Sequence, residues 1–138
     1  IRVELIKAGE TVAAHQSELT DSQNADASIQ ARYSFSAVAA GTYTLRVSKN
    51  NHVTREYTIT VGAEAVTQNV KIHLLGDIDG NGTVTTMDFM RANSHARGVT
   101  LLTDYALKCA DVVGTDGKVT TMDAMRINAH ARGTAKLW

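Results

Sequence analysis

The sequence has no proline, one cysteine and few aromatic residues, 5% of its 138. Each scarcity excludes something. With no proline and no serine- or glycine-rich tract, no segment has the composition of a flexible linker, so any two domains abut. Cys109 stands alone, so no internal disulfide forms. The 14 basic and 14 acidic residues give a formal net charge of zero with no basic run, which argues against nucleic acid or an anionic membrane as partner. There is no transmembrane run and no signal peptide, and the chain opens in mid-strand at Ile1, as a fragment of a longer protein does. The glycines form no phosphate loop, since no Gly-Lys-Ser/Thr follows them. His15, His52 and His73 are scattered without ligand spacing, and no nucleophile–base constellation appears. The length suffices for two small cores of roughly 75 and 60 residues, the second in the range where bound metal often supports folding.

What is present in abundance is repetition. Val84 to Gly98 returns as Val119 to Gly133, and only Phe89/Ala124, Ala92/Ile127 and Ser94/Ala129 differ. Each copy follows an Asp- and Gly-rich loop: Asp77-Ile78-Asp79-Gly80-Asn81-Gly82, and Asp111-Val112-Val113-Gly114-Thr115-Asp116-Gly117. The doubling implies a pseudo-twofold domain with two metal loops and two nearly equivalent outer faces.

The first loop fits a calcium site position by position. An EF-hand-type loop needs oxygen ligands at positions 1, 3, 5, 7 and 12 and a glycine at 6. Asp77, Asp79 and Asn81 supply the first three, Gly82 the turn, Thr83 a backbone carbonyl, and Asp88 closes the loop in place of the usual Glu. Six to eight oxygens suit calcium better than magnesium, which wants a strict octahedron. The second loop is one residue longer. Asp111 opens it, Asp116 and Gly117 take the places of Asn81 and Gly82, Lys118 offers a carbonyl and Asp123 closes. Val113 stands where a carboxylate is expected, so a carbonyl of Val113, Gly114 or Thr115, or a water, fills that position. Fewer negative ligands predict the weaker of two calcium sites. Calcium, not sulfur, then staples the fold.

The two helices carry a second message. Phe89, Ala92 and Ala96 recur at core spacing, as do Ala124, Ile127 and Ala131. Large and small residues swap between copies, as one shared core requires. The remaining faces repeat unchanged: Thr86, Met87, Met90, Arg91, Asn93 and Arg97 match Thr121, Met122, Met125, Arg126, Asn128 and Arg132. Stability alone does not conserve an outer face while the core changes. Met and Arg suit a protein contact; the alternative is that the Met residues are core and the Arg residues merely solvated. Thr103-Asp104 is the predicted start of a short bridging helix bearing Tyr105, Leu107 and Cys109, with Leu101, Leu102 and Leu107 filling the core. His95 and His130, one per repeat near a helix end, suit the helix dipole better than catalysis or zinc. Asn81-Gly82-Thr83 matches a glycosylation acceptor, but Asn81 is wanted by the metal.

Gly76-Asp77-Ile78-Asp79-Gly80-Asn81-Gly82-Thr83-Val84 with Asp88, repeated as Ala110-Asp111 through Asp123, resembles a dockerin module over residues 76 to about 135. The resemblance implies an all-α dockerin fold with two calcium ions, secreted, docking one-to-one onto a cohesin of a cellulosome scaffoldin. It also implies recognition positions at Thr86-Met87 and Thr121-Met122, here not the Ser-Thr of the best-known class. The expected partner face is Thr86, Met87, Met90, Arg91, Asn93, Ser94 and Arg97 with Thr121, Met122, Met125, Arg126, Asn128 and Arg132. The pseudo-symmetry predicts two docking poses related by a half-turn. A calcium sensor and a carbohydrate-binding accessory module are the alternatives. The parent protein is a polysaccharide-degrading enzyme, a scaffoldin or another attached protein, and the fragment itself is non-catalytic.

The first half differs in kind. Ile1, Val3 and Leu5; Tyr33, Phe35 and Ala37; Tyr43, Leu45 and Val47; Tyr57, Ile59 and Val61; and Val70, Ile72 and Leu74 all alternate with other residues, which predicts an antiparallel β-sandwich. From about Glu10 to Ala31 the chain is polar and carries no such rhythm. Tyr33-Ser34-Phe35 and Ala40-Gly41-Thr42-Tyr43-Thr44-Leu45 resemble carboxypeptidase-regulatory or Cna-B-like Ig-type modules, called X modules when they precede a dockerin. The expected domains are therefore a β-sandwich over 1–75 and a dockerin over 76–138, with repeats at 77–98 and 111–133. Removing 1–75 is expected to weaken folding or partner binding.

Overall fold

Alternation marks the two central strands of the sheet. In Arg2–Lys7 (β1) Val3 and Leu5 turn to one side, and in Gly41–Ser48 (β3) Tyr43, Leu45 and Val47 do the same. A computed structural model describes residues 1–19 and 31–138. Ala13–Glu18 (β2) and Arg55–Val61 (β4) complete a four-stranded antiparallel sheet in the order β2-β1-β3-β4. Val3 lies opposite Val47, Leu5 opposite Leu45, and Tyr43 opposite Ile59, so one face gathers a buried apolar cluster. Such cross-strand pairs, with side chains within reach of each other, fix the register. On the other face Arg46 Nε meets Glu56 Oε1 at 2.7 Å, an exposed pair of small energetic weight.

The expected fold class needs correction. A sandwich requires a second sheet, and the described residues hold only one. Tyr33, Phe35, Val38, Val70 and Ile72 do pack against the sheet's core, but their segments join no ladder. The Tyr33 hydroxyl donates to the Gln68 carbonyl at 2.6 Å. Conversely, β2 lies in the polar stretch where no strand was expected, of which residues 20–30 fall outside the described part. The C-terminal part is not the expected all-α fold either: three short helices, Thr86–Ala96 (α1), Asp104–Ala110 (α2) and Thr121–Ala131 (α3), share it with an extended bridge between His52 and Leu74.

That bridge belongs to the way the chain divides. One unit comprises Ile1–Asn50 and Thr54–Ile72, the other Asn51–Val53 and His73–Trp138. In the second unit α1 packs on α3 around Ile78, Ala92, Cys109, Ala110, Val119, Ala124 and Ile127. Ala92 and Ile127 are both fully buried, and Phe89 packs beside them, so the size swap between repeats serves a common core. Leu102 and Leu107 join it, but Leu101, expected inside, is exposed. The Tyr105 hydroxyl ties the extended pair to α2, donating to the Val53 carbonyl and accepting from the His73 N–H at 3.1 Å.

A fragment starting at residue 76 therefore lacks Asn51–Val53 and His73–Leu75, which are parts of its own unit. We expect it to melt roughly 10 °C below the whole chain, given about 2 kcal/mol of lost hydrogen bonding and packing in a unit of this size. Thermal melts followed by circular dichroism in calcium check this; equal midpoints would show that the extended pair adds nothing.

Candidate metal loops and helix faces

Each acidic loop is wound around its own carboxylates. Asp77, 1% exposed, accepts N–H groups from Gly80 (2.8 Å) and Asn81 (3.1 Å) on Oδ1 and from Gly82 (2.9 Å) on Oδ2. Asp88 closes the loop from α1: its Oδ1 accepts from Ile78 (2.8 Å) and Asp79 (3.3 Å), its Oδ2 from the N–H and hydroxyl of Thr85. Thr85 in turn caps α1, accepting from the Met87 N–H at 3.2 Å, so one carboxylate joins loop closure to a reciprocal capping box. Asn81 Oδ1 accepts from the Thr83 N–H and hydroxyl. Oxygens of Asp77, Asp79 and Asp88 lie within 4.8 Å of one another.

Three carboxylates this close repel one another, and a cation would relieve that repulsion. Burial, with the like charge of Asp88 adding to it, holds Asp77 above the ordinary carboxylate range, although the N–H groups of Gly82 and Gly80 and the charge of His73 pull the other way. The His73 ring lies against Gly80, where a Cβ would fall 2.3 Å from Nε2; glycine is needed there for that approach and for its φ of +71°.

The second loop repeats the wiring with less charge. Asp123 Oδ1 accepts from Val112 (3.0 Å) and Val113 (2.8 Å), and its Oδ2 from the N–H and hydroxyl of Thr120, which caps α3 as Thr85 caps α1. Burial raises Asp123, but those donors together outweigh it and leave the carboxyl below its usual range. Asp111 Oδ2 accepts from Gly117 at 2.7 Å, while its Oδ1 is buried without any hydrogen-bond partner. An orphaned carboxylate oxygen at a ligand position fits a bound cation. Asp116 Oδ1 accepts from the Lys118 N–H. Among the described residues, Asp111, Asp116 and Asp123 form no cluster like that of Asp77, Asp79 and Asp88. The extra residue leaves a mark: Thr115 sits at φ 46°, a costly conformation for a β-branched side chain. Val113 is exposed, and its side chain offers no oxygen at that position.

The helix faces are solvent-facing. Met87, Met90, Met122 and Met125 are all exposed, which rules out the reading in which they fill the core. Thr86, Arg91 and Arg97, with Thr121, Arg126 and Arg132, are exposed beside them; Asn93, Ser94 and Asn128 are half-buried. None of these four arginines has a carboxylate partner among the described residues, whose ion pairs are Arg2–Glu18 and Arg46–Glu56. The histidines at the helix ends do something the sequence did not reveal. His95 Nδ1 accepts the Leu102 N–H at 2.8 Å and His130 Nδ1 the Leu137 N–H at 3.1 Å, pinning the chain that leaves each helix. The signal was available: Leu102 and Leu137 keep the repeat's spacing beyond the stretch of evident identity.

Residues 75–130 match the family model for the dockerin type I domain. The match takes in both acidic loops, α1, α2 and nearly all of α3, and supports a dockerin module there; dockerins are non-catalytic docking modules. No curated protein and no solved structure matches the chain. Among the described residues no helix is long and apolar enough to cross a membrane.

Proposed function

We propose that the C-terminal module is a calcium-dependent plug that anchors its parent protein to a cohesin of a cellulosome scaffoldin, outside the cell. The observation that carries this reading is the pair of matching exposed faces, Thr-Met-x-x-Met-Arg on α1 and α3, kept alike while the core residues behind them swap. The dockerin match supports the class of partner. In the first loop Asp77, Asp79, Asn81, Thr83 and Asp88 would hold one ion; in the second, Asp111, Asp116, Lys118 and Asp123, with Val113 or a neighbour, would hold a weaker one. Bound calcium supplies the positive charge that the crowded carboxylates need. Asp88 and Asp123 then keep each loop closed against its helix, so the Met/Arg faces meet the partner already ordered and little entropy is lost on docking. Four arginines without carboxylate partners among the described residues fit an acidic partner surface. The near identity of the faces supports two docking orientations in a one-to-one complex.

Calorimetric titration of the whole chain into a panel of cohesins, in calcium and in excess chelator, tests this. We expect tight binding to one class of cohesin and loss of that binding in chelator. Binding unaffected by chelator, or no binding to any cohesin, would overturn the reading.

A further inference from the structure

We propose that the two docking orientations are unequal, and that Val99 and Leu101 make the pose using the α1 face the stronger; this rests on the cohesin-docking reading above. The two repeats share a backbone well past the end of each helix. Gly98 and Gly133, at φ 70° and 71°, donate to the His95 and His130 carbonyls, each at 2.9 Å. Val99 and Thr134 then donate to the Ser94 and Ala129 carbonyls, also at 2.9 Å, and the histidine pins on Leu102 and Leu137 follow. These bonds form the same helix-ending motif twice. The positions compared are therefore equivalent in space as well as in sequence.

What differs is the chemistry they display. After α1 the rim shows Val99, 75% exposed, and Leu101, 68% exposed; after α3 the same two positions are Thr134 and Lys136. An apolar residue at the position of Val99 commonly packs on the residue at the position of Ser94. Ser94 offers no apolar surface, so Val99 has no local cover. The rim directly continues the chain from the α1 face, whose last turn carries Arg97. A cohesin seated on the α1 face thus has an aliphatic rim beside it, and one seated on the α3 face has a hydroxyl and a cation. All other displayed residues of the helix faces are common to the two poses except Ser94, which is Ala129 in the second copy; on the rim, Thr100 is replaced by Ala135. Partial burial of two aliphatic side chains is worth about tenfold in affinity.

The test uses the whole chain in calcium and the cohesin it binds, by calorimetry. M87A/R91A disables the α1 face and M122A/R126A the α3 face. We expect the first to lose about tenfold and the second to stay within about twofold of the parent. In a V99T/L101K background, which gives the two compared positions the same residues on both rims, the two losses should become equal. T134V/K136L should equalise them by the opposite route, and it keeps the test intact if V99T/L101K folds poorly. Equal losses in the unaltered rim, a larger loss from the α3 face, or inequality persisting in both rim variants would each overturn the proposal while leaving docking itself intact. Failure of the unaltered chain to bind any cohesin would remove the docking reading and this inference with it.

Discussion

Replacing Asp88 by Ala melts the first loop–helix unit even in saturating calcium. The expected fall in midpoint is roughly 20 °C, and the reason is that one fully buried side chain serves three structures at once. It accepts two N–H groups of the acidic loop, accepts the N–H and hydroxyl of Thr85, and belongs to the cluster of carboxylates fit for a cation. Alanine leaves buried donors unpaired and breaks the capping box, a combined cost on the order of 4 kcal/mol. A small unit has little stability to spare against such a loss. Asp88→Asn separates the roles. Its amide oxygen keeps part of the acceptor geometry while the charge is lost, so stability should fall less and calcium affinity more than stability alone would explain. Asp123→Ala should reproduce the effect in the second unit, since Asp123 accepts from Val112, Val113 and Thr120 in the same pattern. Thermal melts with calcium titrations on each variant check this. A midpoint for Asp88→Ala within a degree or two of the parent would mean that the closing carboxylate is dispensable.

Disabling both helix faces together abolishes docking, whereas disabling either one costs about tenfold at most. The expectation follows from redundancy. Met87 and Arg91 on α1 have exposed counterparts in Met122 and Arg126 on α3, so under the proposed docking a partner denied one set would turn the module over and take the other. With all four replaced by alanine, neither pose offers the apolar anchor or the cation, and affinity should drop by more than about a thousandfold. These side chains are exposed, so the folded state should survive, and an unchanged melting midpoint in the quadruple variant would establish that lost binding is not lost structure. Abolition of binding by one pair alone would instead point to a single-pose interface. Retention of binding by the quadruple variant would place the contact elsewhere on the chain.

Local chemistry was legible in the residues because it is local in space. Oxygen-bearing side chains one, three and five places along a turn, and faces repeating at helical spacing, lie within a few ångströms of one another whatever the rest of the chain does. The acidic loops and the exposed Met/Arg faces could therefore be read without a fold. Strands were another matter, because a strand exists only with its partner. Tyr33–Ala37 and Val70–Leu74 alternate well and stay outside the ladder, while Ala13–Glu18 alternates poorly and joins it as the edge next to β1. Nor could spacing foresee that Asn51–Val53 would leave the sheet's unit for the helical one, or that Leu101 would turn outward as Leu102 turned in. Those choices depend on which distant groups are left to cover apolar surface and satisfy buried donors, and only the assembled tertiary structure decides that.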